Sequence, residues 1–231
     1  MELTHFLYGL LSGVIPAILW LMFWLREDNL HPEPRSRIAK CFCAGMVAVI
    51  AVLPFQILTS KYISDTQHQY LIWATLEEIF KYLAALIVAL RTNILEEPID
   101  AMIYMITAAL GFAALENAFF IMGPLSTGAI AKTIITGNLR FIGATLLHVV
   151  ASGTVGMCMG LAFYKKGFGR FLALITGLII ATALHTTFNL FIISATAFDT
   201  LKIFGVVWIG VIIIILLFEK VKAVQPTPTT I

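Results

Sequence analysis

The sequence predicts an all-α polytopic membrane protein, a bundle of about seven transmembrane helices. Of its 231 residues, 60% are hydrophobic and only 12% are charged, with a mean hydropathy of +0.95. Soluble domains have about 45–50% apolar and about 25% charged residues. Seven apolar runs reach the roughly 20 residues that a helix needs to cross a bilayer. A net charge of +2, without a basic run carrying interleaved aromatic residues, argues against nucleic acid as a partner.

Each predicted helix is based on one apolar run. The first run starts without a basic segment and is not followed by a small-residue cleavage site, so we expect it to remain as a helix rather than be removed as a signal peptide. Pro16 and Pro54 fall inside the first two helices, where proline removes a backbone hydrogen bond and favours a kink. In chain order, the predicted helices cover residues 5–25, 38–59, 70–90, 101–122, 140–163, 170–195 and 201–219.

The lysines and arginines of the connections predict the orientation, because cytoplasmic loops carry an excess of both. Ten of the 15 lie around the connections after the first, third, fifth and seventh helices, and four lie around the others. This bias predicts an N-terminus outside the cell and a C-terminus in the cytoplasm, which an odd number of helices requires. Residues 1–222 then form a single transmembrane domain, and residues 223–231 form a short flexible cytoplasmic tail.

Polar side chains within four of these helices form the candidate site. A charge at the middle of a bilayer costs about 2.5–3.5 kcal/mol, so such residues usually face a wet cavity and carry function. In the predicted orientation they lie about 6–10 residues, or roughly 9–15 Å, below the outer surface. We therefore predict one cluster in the outer half of the membrane. It comprises Glu77 and Glu78 in the third helix, Glu116 and Asn117 in the fourth, His148 in the fifth, and His185 and Asn189 in the sixth.

These residue types suit the hydrolysis of a peptide bond, which needs an activated water, a donor for the oxyanion and a proton for the leaving amine. Glu77 and Glu78 are the expected water-activating pair, because a desolvated carboxylate beside a second one can act as base and then as acid. Lys81 lies four residues after Glu77 and is expected to neutralise one of the pair. Asn117 and Asn189 would orient groups or bind the oxyanion.

The residues leave two forms of this chemistry open. In one, Glu116, His148 and His185 hold a zinc ion; in the other, they are proton-transfer partners in a metal-free glutamate mechanism. The chain contains no HExxH motif. Two alternatives lie outside hydrolysis, a proton-coupled transporter and a non-catalytic membrane scaffold. A transporter would need a polar path to both surfaces, and the inner halves of helices three to six carry almost no charge.

The order of these motifs resembles the PrsW family of intramembrane proteases, which is related to CAAX prenyl endopeptidases and bacteriocin-processing membrane proteases. The resemblance covers about residues 26–195. The matching pieces are the loop Asp28–Pro34, EExxK at Glu77–Lys81, the segment Asp100–Tyr104, GFAxxEN at Gly111–Asn117, Arg140 eight residues before His148, and HxxxN at His185–Asn189.

The resemblance implies an intramembrane endopeptidase in a prokaryotic plasma membrane, with residues 1–222 as the catalytic domain and a divalent metal such as zinc. The family's bacterial role, first cleavage of a membrane-anchored anti-sigma factor on its extracytoplasmic side, implies a membrane-anchored protein as substrate. Lys81 and Arg140 are expected to contact the reacting groups of the centre without taking part in the reaction themselves. Glu116 occupies the place where the CAAX relatives carry a histidine.

The orientation predicts which loops can be reached from outside the cell. A cysteine introduced by Ser64→Cys, between the second and third helices, should react with a membrane-impermeant thiol reagent on intact cells. One introduced by Ser36→Cys should react only after lysis. The background is a chain in which the native thiols are replaced, at Cys41, Cys43 and Cys158. The reverse labelling pattern would overturn the orientation.

Overall fold

The computed structural model describes residues 3–28, 31–92 and 95–226, and within these ranges the chain is helical without strands. Two helices continue as π-turns, in which one wider turn interrupts the regular ladder. In chain order the elements are α1 (Leu3–Trp24, followed by a 3₁₀ turn at Leu25–Asp28), α2 (Arg35–Tyr62), α3 (Thr66–Ala85, with a π-turn at Leu86–Leu90), α4 (Asp100–Ser126), α5 (Ile130–Leu139, with a π-turn at Arg140–Ala144), α6 (Thr145–Leu161), α7 (Phe168–Ser194) and α8 (Ala197–Lys222).

Among the described residues, six helical segments are long and apolar enough to cross a membrane: α1, α2, α4, the continuous α5–α6, α7 and α8. This confirms the all-α membrane class. The helix α3 is different, because Glu77, Glu78 and Lys81 place three charged residues near its middle. It packs against α2, α4 and α7. The predicted third helix therefore lies among the other helices of the bundle, although its own sequence is not apolar enough to meet the criterion for a membrane span. The orientation of the bundle stays a prediction.

The helix predicted over 140–163 begins ten residues earlier, at Ile130, and runs on through α5, its π-turn and α6. The sequence hides this extension because Lys132, Gly137 and Asn138 lower its apolar content. No residue of α5 is buried. Of the predicted tail, residues 227–231 lie outside the described ranges, as do residues 29 and 30 of the Asp28–Pro34 loop. The helices α1 and α2 continue past their internal prolines.

The helix α4 is the centre of the bundle. Every residue from Asp100 to Leu115 is buried, so this stretch has no solvent-facing or lipid-facing side, as expected of a helix that is apolar all round. It packs against α1, α2 and α6, which enclose it on different sides. The next turn of α4 carries Glu116 and Asn117, so the packed core leads directly into the polar residues of the candidate site.

Two glycines allow α2 and α4 to touch at the backbone. A methyl group at Gly111 of α4 would overlap the carbonyl group of Phe42, and one at Gly45 of α2 would overlap the carbonyl group of Ala108. Small residues at helix contacts let membrane helices approach closely. The α2–α4 contact therefore depends on the missing side chains at these two positions.

We expect Gly111→Ala to lower the melting temperature of the detergent-solubilised protein, because the added methyl group meets backbone that cannot turn aside. Overpacking of this kind typically costs about 1–3 kcal/mol. Gly123→Ala is the matched control, since it lies on the same helix with nothing within 4 Å of the new methyl group. Thermal unfolding followed by tryptophan fluorescence measures both. Equal melting temperatures for the two variants would contradict this account of the contact.

Candidate active site

A cavity of about 560 Å³ opens where α2, α3, α4, α6 and α7 converge. Its polar lining includes most of the residues that the sequence singled out, and its remaining walls are aliphatic and aromatic. The polar lining residues are Gln56, Glu77, Glu116, Arg140, His148, His185, Asn189 and Thr200. Polar residues of the four helices that the sequence placed at one depth therefore line one cavity, and Gln56 of α2 joins them.

Both carboxylate oxygens of Glu78 are engaged in hydrogen bonds behind the cavity wall. Its Oε1 accepts from Lys81 Nζ at 2.7 Å and lies 2.8 Å from Nδ1 of His185, and its Oε2 accepts from Ser152 Oγ at 2.7 Å. The side chain has no exposed surface. Since both oxygens already have partners, Glu78 is arranged to hold other groups rather than to take a proton from water.

Lys81 joins Glu78 to His148. Its ammonium group lies 2.7 Å from Nδ1 of His148 and 4.6 Å from the ring centre of Phe112, a cation–π distance. An ammonium group has hydrogens but no acceptor. Nδ1 of His148 must therefore accept, which places the imidazole proton on Nε2.

Glu116 accepts a hydrogen bond from the protonated Nε2 of His148. Nε2 of His148 lies 3.1 Å from Oε2 of Glu116, and the guanidinium group of Arg140 pairs with the same oxygen. Arg140 also donates to Oδ1 of Asn117 at 2.5 Å, and it lies 3.9 Å from the ring centre of Phe120. Glu116 is thus neutralised by a fixed cation and orients His148.

The π-turn between α5 and α6 carries Arg140 at its first position. Asn117 donates to Thr145 Oγ1 at 2.9 Å, just after this turn. Hydrogen bonds therefore join α4 to Arg140 at the start of the π-turn and to Thr145 just after its end. Turns of this type often occur at functional sites because they displace a side chain from its regular helical direction. Here the displaced residue is the one that pairs with Glu116.

Glu77 differs from the other carboxylates of the described residues because one of its oxygens is buried without a hydrogen-bond partner. Oε1 accepts from Gln56 Nε2 at 2.9 Å, whereas Oε2 is buried without a hydrogen bond. Lys81 Nζ is 3.9 Å from Oε2, and Nε2 of His185 is 3.6 Å from it. Nδ1 of His185 donates to Glu78, so a neutral His185 points a lone pair at the carboxylate. Two acceptors that face each other need a proton, a water or a cation between them.

Comparison with known proteins shows where this arrangement belongs. The model of the PrsW family of intramembrane metalloproteases matches residues 33–218. The chain belongs to the PrsW family. Protease PrsW of Geobacillus kaustophilus is 27% identical over 70% of this chain and 68% of its own length, and that of Shouchella clausii is 23% identical over 92% and 94%. Protease PrsW of Bacillus subtilis is 23% identical over 80% and 82%. No solved structure matches the chain.

Family membership and the apolar helices together make this chain an intramembrane protease, an integral protein of the bacterial plasma membrane. This confirms the resemblance seen in the motifs. It favours hydrolysis over the transporter and scaffold alternatives. The substrate and the roles of individual residues are not fixed by the comparison.

The residues of this PrsW family member fit a metal ion. Glu77, His148 and His185 each offer one ligand atom, and these atoms lie within 4.8 Å of one another. Two imidazoles and one carboxylate are a donor set of catalytic zinc sites. Oε2 of Glu77 and Nε2 of His185 have no hydrogen-bond partner among the described residues. His148 has partners on both ring nitrogens, so it would join the metal only by exchanging one of them.

The structure separates residues that the sequence grouped together. The sequence suggested Glu116, His148 and His185 as ligands. Two groups lie within ligand distance among the described residues, Asp28 with Glu33 and Asp100 at the far end of α4, and a group at the cavity that has Glu77 in place of Glu116. Asn189 lines the cavity one turn from His185, as expected. Sequence reasoning missed Gln56, although an amide inside the second apolar run is a polar residue of the kind that marked the other positions.

The Asp28–Pro34 loop lies at the other end of α4. Tyr104 donates to Oε2 of Glu33 at 2.5 Å, and Tyr104 is about 18 Å along the helix from Glu116. The backbone N–H of Glu33 donates to Asp28 at 3.2 Å. Burial, with Asp100 and Asp28 nearby, raises the pKa of Glu33 to about 7. The PrsW-like loop is therefore tied to the base of the central helix, away from the cavity.

Proposed function

We propose that this protease cleaves membrane-anchored proteins at a peptide bond that enters the cavity in the outer half of the bilayer, with Glu77 as the base. The observation that carries the proposal is Oε2 of Glu77, a buried carboxylate oxygen without a hydrogen-bond partner among the described residues, in a side chain that lines the cavity. A buried acceptor left without a hydrogen bond costs about 1–3 kcal/mol. A fold that keeps one has a partner for it in the working state, and a water or a metal-bound water meets that need.

In the proposed reaction, Oε2 of Glu77 takes a proton from a water molecule while the oxygen of that water attacks the carbonyl carbon of the substrate. The carbonyl π bond opens and its oxygen becomes an oxyanion. Glu77 then returns the proton to the amide nitrogen as the C–N bond breaks, which releases an amine and a carboxylic acid. One carboxylate thus serves as base and then as acid.

The neighbouring residues would hold this geometry. Glu78 orients His185 through Nδ1, so Nε2 faces the water site beside Glu77. Asn189 is placed to donate its amide to the oxyanion, because it lines the same cavity one helical turn away. Glu116, with Arg140, orients His148 from the opposite wall.

In the metal form of the mechanism, zinc would be held by Glu77, His148 and His185, and Oε2 of Glu77 would then be a ligand rather than the base. Bound there, the zinc ion would supply a Lewis acid that lowers the pKa of a coordinated water. The family description as metalloproteases supports a metal, and the two-imidazole, one-carboxylate donor set supports zinc.

The walls of the cavity favour an apolar, extended segment of the substrate. Phe119 and Phe120 from α4, together with Phe188 and Ile192 from α7, form much of the non-polar lining. These groups suit the end of a substrate's membrane anchor better than a charged soluble peptide. A membrane-anchored protein whose anchor unwinds near the outer surface is therefore the proposed substrate class.

We expect Glu77→Gln to lower the cleavage rate about 10²–10⁴-fold, the usual loss on removing a general base, with little change in melting temperature. Glu78→Gln should lower both activity and melting temperature, because it leaves Lys81 buried without its charge partner. Glu96→Gln, an exposed carboxylate, is the matched control and should do neither. The measurement is gel-based cleavage of a single-span reporter in proteoliposomes, with thermal unfolding in parallel. Parental cleavage by a folded Glu77→Gln protein would refute Glu77 as base.

Metal content distinguishes the two ligand sets. Purified protein should retain zinc and lose activity when a chelator removes it, with activity restored by added zinc. Glu77→Gln and His185→Ala should lower zinc retention at least tenfold, whereas Glu116→Gln should retain it. Elemental analysis of each purified variant makes the comparison. Loss of zinc in Glu116→Gln and His185→Ala, with parental retention in Glu77→Gln, would restore the ligand set suggested by the sequence. Full activity of metal-stripped protein would establish a metal-free glutamate mechanism.

A further inference from the structure

We infer that Gln56 is a positioning residue for the reaction, because its side-chain amide fixes the carboxylate of Glu77 with one oxygen turned toward the reacting water. The inference rests on the proposed function of Glu77 as base or ligand. Gln56 lies on α2, a helix that carries no other polar residue of the candidate centre, and neither the motifs nor the comparisons assign it a role.

The contact is a single directed hydrogen bond. Nε2 of Gln56 donates to Oε1 of Glu77 at 2.9 Å, across the α2–α3 interface. An ionised carboxylate only accepts, so the amide must present its N–H₂ side. The bond occupies one carboxylate oxygen and leaves the other, Oε2, facing Nε2 of His185 at 3.6 Å. Gln56 therefore determines which oxygen is available for chemistry.

The backbone of Gln56 is itself held in place. Its carbonyl oxygen accepts from Trp73 Nε1 at 3.2 Å and from Ser60 Oγ at 3.0 Å. One helical turn of α3 separates Trp73 from Glu77, so two bonds from residue 56 reach the same face of α3. Such paired contacts fix the side chain of Gln56 relative to Glu77 better than a bond from a free surface residue would.

The contact with Lys81 explains why the carboxylate of Glu77 needs to be restrained. Its ammonium group lies 3.9 Å from Oε2 of Glu77, near enough to attract a carboxylate that is free to rotate. The carboxylate of Glu77 is restrained on the other side by Gln56. Without that restraint Glu77 would be free to shorten this 3.9 Å ion pair to hydrogen-bond distance, and Lys81 would then occupy the position at Oε2 that water or metal needs.

The test is Gln56→Met, which keeps the length of the side chain and removes the donor. We expect kcat to fall about 10–100-fold, the usual loss when an outer partner of a catalytic or ligating group is removed, with KM within about twofold and the melting temperature nearly unchanged. Gln67→Met, an exposed position on the first turn of α3, is the matched control. If Gln56→Met lowers the melting temperature by more than a few degrees, Gln56→Leu, which also lacks the donor and adds no charge, replaces it.

A second readout measures zinc affinity by calorimetry on metal-stripped protein. Gln56→Met should weaken zinc binding about 10–100-fold in the parental chain and less than threefold in the Glu77→Gln background, because a residue that acts through Glu77 has no effect once Glu77 is altered. Equal effects in both backgrounds, or parental kcat and zinc affinity in Gln56→Met, would overturn the role of Gln56. If the parental protein binds no zinc, the kcat of Gln56→Met at unchanged KM tests the role of Gln56 instead: a fall supports it and a parental value refutes it.

The outcomes for Gln56 and for the proposed function are separable. A parental protein that cleaves no membrane-anchored reporter would count against the proposed function, and the zinc cycle would still decide the role of Gln56. A parental protein that cleaves normally while Gln56→Met is unaffected would leave the proposed function in place and refute the inference.

Discussion

The buried ion pair of Glu78 and Lys81 holds the site together. Removing two charges from water costs several kcal/mol per ion, and the pair is tolerated only if its remaining hydrogen-bonding positions are filled. Ser152 and His185 fill those of Glu78, and His148 accepts from Lys81. The electrostatic requirement of one pair on α3 thereby fixes α6 and α7 around it, and with them both imidazoles. The tautomer of each histidine follows from the same pair.

Adjacent residues on a helix point about 100° apart, and this places the two neighbouring glutamates in different environments. Glu78 lies in the contact of α3 with α6 and α7, and both of its oxygens accept hydrogen bonds. Glu77 lines the cavity, and one of its oxygens has no hydrogen-bond partner among the described residues. On the proposed function, a structural carboxylate and a reactive one therefore lie side by side in sequence, distinguished by one unfilled hydrogen-bonding position rather than by charge or depth.

Hydropathy predicted the helices well, because the bilayer imposes a minimum apolar length, and counting residues from the outer surface brought the acids and histidines of four helices to one level. The depth of a residue in the membrane does not say in which direction around the helix axis its side chain points. For that reason the sequence could not distinguish Glu77 from Glu78, and it could not show that Arg140 pairs with Glu116, the residue it suggested as a ligand. Gln56 was missed because it belongs to none of the motifs. The extension of the fifth helix to Ile130 was missed because α5 buries no residue and has a mixed composition.

The polar content of α3 has a consequence for biogenesis. A segment with two glutamates and a lysine near its centre is a poor candidate for release into lipid as an independent span. Beyond the pair that Glu78 forms with Lys81 within α3, the hydrogen-bond partners of Glu78 are Ser152 and His185, 74 and 107 residues further along the chain. Those partners are synthesised well after α3 has left the ribosome. The helix must therefore wait beside the insertion machinery or in a wet, unfinished bundle until α6 and α7 arrive, which makes the last steps of membrane assembly the ones that create the active site.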